Sequence, residues 1–188
     1  MIQRTWNRAR NILFTPEQEW LRIDTEESTF VAIFRNYILL LAVIPSAAGF
    51  LGSLFRGNNF FLSLIWTFFF YILSVVGVYV TVKIVDFLAT NLNIEHEHIK
   101  IHKLIAYSFT PFFLAGVVLI IPPLFWLSLL GLYGIFVLYI GVNVLLKPND
   151  EERYTFIILT TITIIIIIVV VFTLTSALTG INSNYILL

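Results

Sequence analysis

The sequence contains no cysteine among its 188 residues. Disulfide bonds, thiolate catalysis, iron–sulfur ligation and covalently attached c-type haem are therefore excluded. Charge is also scarce, because Asp, Glu, Lys and Arg make up 12% of the residues, against about 25% in a typical soluble domain. The 11 basic and 11 acidic residues cancel formally, so the overall charge does not favour binding to nucleic acid. With 59% hydrophobic residues, the chain is predicted to be an integral membrane protein.

The longest charge-free segment covers residues 104–146 and contains no Asp, Glu, Lys, Arg or His. A bilayer core about 30 Å thick is crossed by roughly 20 helical residues, so this segment is long enough for two spans. Pro122 and Pro123 lie near its middle, and proline interrupts a helix because it lacks an N–H group. Lys103 and Lys147 flank the segment. We therefore predict a helical hairpin with both feet at the cytoplasmic side and the double proline at its tip.

The predicted fold is all-α, with five transmembrane helices that follow a short amphipathic segment at residues 1–36. The last span is rich in Ile and Val, but it is too long for a strand, and only helices and closed barrels satisfy the backbone in lipid. The distribution of Lys and Arg predicts a cytoplasmic N-terminus and a C-terminus on the opposite side. The predicted spans cover about residues 37–55, 60–90, 104–121, 124–146 and 155–178.

The N-terminal segment combines arginines with aromatic residues. A capping box of Thr15 and Gln18, with Pro16 at the first helical position, predicts a short helix that carries Trp20. Such a segment suits the headgroup layer of a membrane, and the alternative is a soluble tail packed on the cytoplasmic end of the bundle. Three of its arginines are predicted to face anionic lipid headgroups or a partner: Arg4, Arg8 and Arg10.

Small residues in two spans predict close helix packing. Ala48 and Gly52 lie four residues apart on one face of the first span, and Gly49 lies beside them. Gly134 and Gly141 are seven apart and share a face of the fourth span. Small side chains let helix backbones approach closely in a membrane. We expect packing within one chain, and a dedicated dimerisation face is the alternative.

Polar residues inside the spans have local explanations. Pro111 should kink the third span and free a carbonyl one turn earlier, which the hydroxyl of Ser108 or Thr110 satisfies. Lys83 and Asp86, three residues apart, are predicted to pair at the cytoplasmic interface rather than to relay protons. Three threonines of the last span are predicted to bond back to their own helix: Thr160, Thr163 and Thr175.

All three histidines lie in the polar connector at residues 91–103. If this connector is helical, His98 and His102 are one turn apart and Glu95 lies three residues before His98, which is a spacing that metal ligands use. The His-Glu-x-x-His pattern of zinc hydrolases fails, because Lys100 stands where the second histidine is needed. We therefore expect a solvated connector without a stoichiometric metal.

One further set of residues is informative through its order and spacing: Thr15-Pro16-Glu17 with Trp20, Glu26-Glu27-Ser28, Tyr107-Ser108 with Pro111, Pro122, Tyr133, Tyr139 and Gly141. In these features, and over nearly its whole length, the chain resembles the prokaryotic branch of the Yip-domain family of five-span membrane proteins. Eukaryotic members are associated with Rab GTPases and vesicle traffic and have no established enzymatic activity. This chain lacks their long soluble N-terminal region and their Asp-Leu-Tyr-Gly-Pro motif. The resemblance thus implies the five-span fold, without Rab binding and without catalytic residues.

The sequence favours a non-catalytic membrane scaffold or assembly factor, whose partners are membrane lipids, other membrane proteins or a second copy of the chain. The alternative is a small transporter or channel, which Pro45 and Pro111 support by interrupting helices. Against it, the chain shows no internal repeat and no buried charge that would coordinate an ion. Sequence patterns of nucleophile elbows, phosphate-binding loops and dinucleotide folds are absent. We therefore expect neither catalysis nor a cofactor.

Overall fold

The computed structural model describes residues 2–180, apart from the side chains of Pro122 and Phe125. Every regular element in this range is helical, so the predicted all-α fold is confirmed. A π-helical turn lies at Phe34–Ile38, and 3₁₀ segments lie at Gly116–Ile120 and Pro122–Leu132. The α-helices of this range are α1 (Ile2–Phe14), α2 (Pro16–Thr25), α3 (Phe30–Ile33), α4 (Leu39–Phe55), α5 (Phe60–Asn91), α6 (His98–Ser108), α7 (Thr110–Ala115), α8 (Tyr133–Leu145) and α9 (Asp150–Thr179).

Five helical stretches of the described chain are long and apolar enough to cross a membrane, as predicted. The first and third begin earlier than predicted, at Phe30 rather than residue 37 and at His98 rather than residue 104. The predicted bounds of these two spans contained only uncharged residues, whereas a charged side chain near a helix end leaves the backbone hydrogen bonds intact. The predicted side of the C-terminus lies outside the described residues. The stretches are Phe30–Phe55, Phe60–Asn91, His98–Ile120, Trp126–Leu145 and Asp150–Thr179.

The third and fourth spans form the predicted hairpin. Ile121 has an extended backbone, with φ −114° and ψ 97°, and it separates two 3₁₀ segments that pack against each other. The double proline at residues 122–123 follows it directly. The chain therefore reverses at the predicted position.

The third span is interrupted at Pro111, as predicted, with α6 ending at Ser108 and α7 beginning at Thr110. Pro111 has no N–H group to give to the carbonyl of Tyr107, and Thr110 Oγ1 donates to that carbonyl instead, at 2.6 Å. Of the two predicted hydroxyls, Thr110 is thus the one that satisfies the freed carbonyl. Because its proton is used there, Thr110 accepts a hydrogen bond from the hydroxyl of Tyr37 at 2.7 Å. The hydrogen bond between Tyr37 and Thr110 thus connects the first span to the hairpin at the interruption.

The small residues of the first span serve packing within the chain. A β-carbon on Gly52 would overlap the carbonyl of Leu119, so the backbones of α4 and the hairpin meet there. A β-carbon on Gly49 would lie 2.5 Å from the ring of Trp66 on α5. Ala48 is buried beside them. The expected packing role inside one chain is therefore confirmed for these positions.

The hairpin helices also approach closely, as predicted from Gly134. A β-carbon at this position would lie 2.7 Å from the carbonyl oxygen of Ser108, which is shorter than any ordinary contact. α6 and α8 are therefore packed backbone to backbone.

The last span, α9, packs mainly on α5. Two of its threonines bond back to their own helix as predicted, Thr163 to the carbonyl of Leu159 at 2.8 Å and Thr175 to that of Val171 at 2.7 Å. The prediction for Thr160 is wrong, since its buried hydroxyl has no partner among the described residues.

Candidate functional site

The N-terminal helices pack on the bundle beside the feet of the hairpin. Trp20 of α2 is fully buried, and its Nε1 donates to the carbonyl of Val137 at 3.0 Å. Gly141 makes room for the ring, because a β-carbon there would lie 2.7 Å from Trp20 Cζ2. The Tyr133 hydroxyl donates to the carbonyl of Leu13 at 3.0 Å. Three residues behind the family resemblance thus form one joint between the N-terminal helices and α8.

The start of α2 follows the prediction only in part. The helix begins at Pro16, but Thr15 makes no side-chain capping bond. The predicted capping box is therefore wrong. α1 runs almost directly into α2, so Thr15 Oγ1 donates to the carbonyl of Asn11 in the last turn of α1, at 3.1 Å. Gln18, its predicted partner, is exposed.

Arg8 lies where α1 meets α2. Its guanidinium is 2.7 Å from Glu19 Oε1 and 2.5 Å from Glu26 Oε1, and its Cζ is 5.6 Å from the centre of the Tyr107 ring. Burial disfavours the charged guanidinium, but the hydrogen bond to Glu26 and the surrounding negative groups outweigh that effect and raise the pKa of Arg8. The prediction that Arg8 faces lipid or a partner is therefore wrong, because its charge is used inside the protein.

The outer face of α1 keeps the predicted amphipathic character. Arg4 and Arg10 are exposed, and so are the apolar side chains of Ile2 and Trp6. α1 therefore has an inner side packed on the bundle and an outer side that combines cations with apolar groups. The sequence allowed two alternatives for the N-terminal segment, packing on the bundle and a position in the headgroup layer. The inner side of α1 packs on the bundle, and the outer side is free to contact headgroups.

Two lysines of α6 hold the end of α2. Lys103 is buried, and its Nζ donates to the carbonyls of Ile23 at 2.8 Å and Glu26 at 2.6 Å. Lys100 Nζ lies 3.1 Å from Asp24 Oδ1. A cation at the C-terminal end of a helix is favourable, because the last carbonyls there lack partners in the helix. The N-terminal helices are thus bonded to both arms of the hairpin. We call the side of the bundle that carries these helices and Lys103 the polar end.

The helix rise places the Arg8 network relative to the membrane. Tyr37, at the level of the network, packs on Tyr107 with ring centres 4.7 Å apart. The first span continues from Tyr37 to Arg56, a distance of roughly 28 Å at about 1.5 Å per residue. This length matches the hydrocarbon core of about 30 Å. If Arg56 lies at one boundary of the hydrocarbon core, the Arg8 network lies at the other.

α5 extends beyond that boundary at the polar end. Its Tyr79 ring packs on Phe30, with centres 5.9 Å apart, and Phe30 itself precedes Tyr37 by about two turns. Asp86 lies about two turns further along α5, roughly 10 Å beyond Tyr79. The carboxylate of Asp86 is thus outside the hydrocarbon layer.

Asp86 is joined there by two histidines, His96 from the loop between α5 and α6 and His98 from the first turn of α6. His98 Nδ1 is 2.8 Å from Asp86 Oδ1 and 3.0 Å from Oδ2, and His96 Nε2 is 3.1 Å from Oδ1. His96 Nδ1 lies 2.7 Å from the carbonyl oxygen of Ile94, which only accepts, so Nδ1 carries a proton. We call Asp86, His96 and His98 the Asp–His cluster.

The predicted pair of Lys83 and Asp86 is wrong. Lys83 Nζ lies 5.6 Å from the centre of the Tyr79 ring on its own helix, whereas the Asp86 carboxylate is bonded to the histidines. The loop brings those histidines back against the end of α5, and this arrangement follows from tertiary packing rather than from helix spacing.

The predicted grouping of Glu95, His98 and His102 is also wrong. α6 begins only at His98, so Glu95 is not on its face and is exposed. His102 Nδ1 donates to the carbonyl of His98 at 2.7 Å, and its ring packs on Phe30 with centres 4.7 Å apart. His98 alone of the three joins the cluster. One feature of the sequence does indicate that His96 and His98 lie together. The two residues are two apart, and side chains at that spacing point to the same side of an extended segment.

A groove of about 490 Å³ opens within the membrane-spanning part. None of the described residues that line it is ionisable, and Ser176 Oγ has no hydrogen-bond partner among the described residues. The groove therefore offers an apolar environment that fits an acyl chain better than an ion. Its lining includes Pro45, Phe70, Phe112, Leu129, Ile168 and Ser176.

The fold and the packed polar end define a multi-pass, all-α membrane protein with a structured N-terminal helical pair. The family model of the Yip1 domain matches residues 10–173. The chain therefore belongs to the Yip1 domain family, and the resemblance drawn from its sequence is confirmed.

Curated relatives agree with this assignment. The "Inner membrane protein YohC" of Escherichia coli (strain K12) is 28% identical over 155 residues, which cover 75% of this chain and 80% of the relative. The protein of the same name from Escherichia coli O6:H1 matches to the same extent. No solved structure matches the chain at a significant level.

Proposed function

We propose that this protein is a non-catalytic scaffold of the inner membrane, which organises anionic lipids and neighbouring membrane proteins at its polar end. The relatives are inner membrane proteins by name, and five apolar helices suit the same location. We place the polar end and the N-terminus in the cytoplasm, because most Lys and Arg residues lie at that end while Arg56 lies at the other. Five spans then put the C-terminus on the opposite side.

The outer face of α1 is the observation that supports this proposal. Arg8 and Lys103 are bonded inside the protein, whereas Arg4 and Arg10 are exposed. Arg10 lies one helical turn after the exposed Trp6. Each basic residue near an anionic membrane surface contributes about 1 kcal/mol of binding, and tryptophan favours the headgroup layer. Because α1 is fixed to the bundle, these groups are held at the membrane boundary without a further ordering cost.

Recovery of lipid with the purified protein tests the proposal. The protein is purified in mild detergent from membranes containing anionic lipid, and the bound lipid is measured by mass spectrometry. Replacing Arg4 and Arg10 with Gln should lower the affinity for anionic lipid by roughly tenfold or more, since two contributions of about 1 kcal/mol are removed. A control with Arg56 replaced by Gln removes a cation at the opposite end of the bundle and should lower the affinity far less. Unchanged lipid recovery in the first variant would contradict the proposal.

A small transporter or channel is the second candidate, and the membrane groove favours it. Pro111 interrupts a helix that lines this groove, and interrupted helices line the binding sites of many transporters. The lining offers no charged ligand for an ion, so a carried substrate would have to be apolar. Flux assays in sealed liposomes separate the two functions. Saturable flux of ions or small solutes would contradict the scaffold proposal.

A further inference from the structure

We infer that the Asp–His cluster binds one divalent transition-metal ion, and that Zn²⁺ matches its donors best. The inference rests on Asp86, His96 and His98 alone and does not depend on the proposed scaffold function. Its consequence is a metal-dependent connection between the second and third spans at the polar end.

The geometry of the cluster is close to that of a metal site. One donor atom from each side chain can be chosen so that all three lie within 4.8 Å of one another. Around a tetrahedral zinc ion, with bonds of about 2.0–2.1 Å, neighbouring donors are roughly 3.3 Å apart. The Asp86 oxygen lies 2.8 Å from His98 Nδ1 and 3.1 Å from His96 Nε2. The two distances to Asp86 would therefore have to lengthen by only a few tenths of an ångström to admit the ion.

The hydrogen bonds of His96 prepare it as a ligand. Its Nδ1 donates to the carbonyl of Ile94, so in the neutral ring the lone pair of Nε2 points at the Asp86 carboxylate. Two electron-rich atoms facing each other repel unless a cation lies between them. The His96 side chain is only 5% exposed, so this contact is largely shielded from water. A backbone carbonyl that orients the other ring nitrogen is also the usual outer partner of a metal-bound histidine.

The donor set selects the class of ion. Two imidazole nitrogens and one carboxylate suit zinc and its neighbours in the first transition row, whereas Mg²⁺ and Ca²⁺ prefer oxygen ligands. Three protein ligands leave a fourth position open on a tetrahedral ion. An open cavity bordered by Thr90, Asn93 and Glu95 adjoins the cluster and gives that position access to water or to a fourth side chain.

The ion would join three separate segments of the chain. Asp86 belongs to α5, His96 to the loop and His98 to the first turn of α6. α6 also carries Lys103, which holds α2. Binding should therefore stabilise the polar end as a whole.

Calorimetric titration with Zn²⁺ tests the inference, using protein purified without a polyhistidine tag. Wild-type protein should bind one ion per chain with a micromolar or lower Kd. Asp86→Asn and His98→Gln should each weaken binding by more than the roughly 10–100-fold that a change outside the ligand shell causes. His98→Gln is informative even if Asp86→Asn misfolds, because the His98 side chain is 78% exposed. His102→Gln is the matched control and should bind as wild type does.

The unfolding temperature provides a second readout on the same proteins. Zn²⁺ should raise it in the wild type and in His102→Gln but not in His98→Gln, since ligands that bind only the folded state stabilise it. Mg²⁺ should leave it unchanged in all three. Absence of saturable zinc binding to the wild type, or equal binding by wild type and His98→Gln, would overturn the inference and leave the cluster as a proton-mediated contact.

Discussion

At the scale of single residues, the arginines of α1 have different roles although they lie close together in sequence. Arg8 is bonded to Glu19 and Glu26, while Arg4 and Arg10 are exposed. The sequence did not distinguish them, because the partners of Arg8 belong to α2 and the relevant contact is tertiary. The exposed pair is consistent with the predicted lipid-facing role, and that role stays a prediction.

Replacement of Arg8 with Gln should destabilise the protein by about 1–3 kcal/mol, since it removes the nearest cation of the largely buried Glu19 carboxylate. Glu19 then keeps only the hydrogen bond from Asn11 and the more distant, exposed Arg22. Half of the Glu26 side chain is exposed, which limits the loss through that partner. Thermal unfolding in detergent, followed by circular dichroism, measures the change. Arg4→Gln and Arg10→Gln are matched controls and should alter stability by no more than about 0.5 kcal/mol. Equal effects of all three substitutions would show that Arg8 has no special structural role.

At the scale of elements, the sequence predicted the spans and the interruption at Pro111 because both depend on local chemistry. A missing N–H group frees a carbonyl one turn earlier, and a neighbouring hydroxyl satisfies it. The sequence did not decide between Ser108 and Thr110, since the choice depends on side-chain rotamers. It also gave no indication that Asp86 meets His96 and His98, because that contact requires the loop to fold back on α5.

Thr110 joins the interruption to the first span, and its hydroxyl should be required for stability. Thr110→Val removes the hydrogen bonds to the Tyr107 carbonyl and to Tyr37, with an expected loss of about 1–3 kcal/mol because a buried acceptor is left unsatisfied. Thr110→Ser keeps the hydroxyl and should retain most of the stability. Chemical unfolding of both variants in detergent provides the comparison. If serine is destabilising and valine is not, the contribution of Thr110 comes from packing of its methyl group rather than from the hydrogen bonds.

At the scale of the whole molecule, length and apolarity of the segments were sufficient to predict five spans. The family was predicted from the order and spacing of motif residues such as Pro16, Trp20 and Tyr107. The positions of the N-terminal helices were not predictable in the same way. Trp20 occupies a space that exists only because Gly141 lies opposite it on α8, and these residues are far apart in sequence. The packed polar end is therefore a property of the assembled bundle, and the proposed scaffold function requires that this end face the cytoplasm.

Labelling of single cysteines tests that orientation most directly, because the chain has no cysteine of its own. Asn58→Cys lies at the turn after the first span, and Glu95→Cys lies in the exposed loop of the polar end. In spheroplasts treated with a membrane-impermeant maleimide, the proposal predicts labelling at position 58 in intact membranes and at position 95 only after permeabilisation. Labelling at position 95 in intact spheroplasts, with position 58 protected, would place the polar end outside the cell and contradict the account.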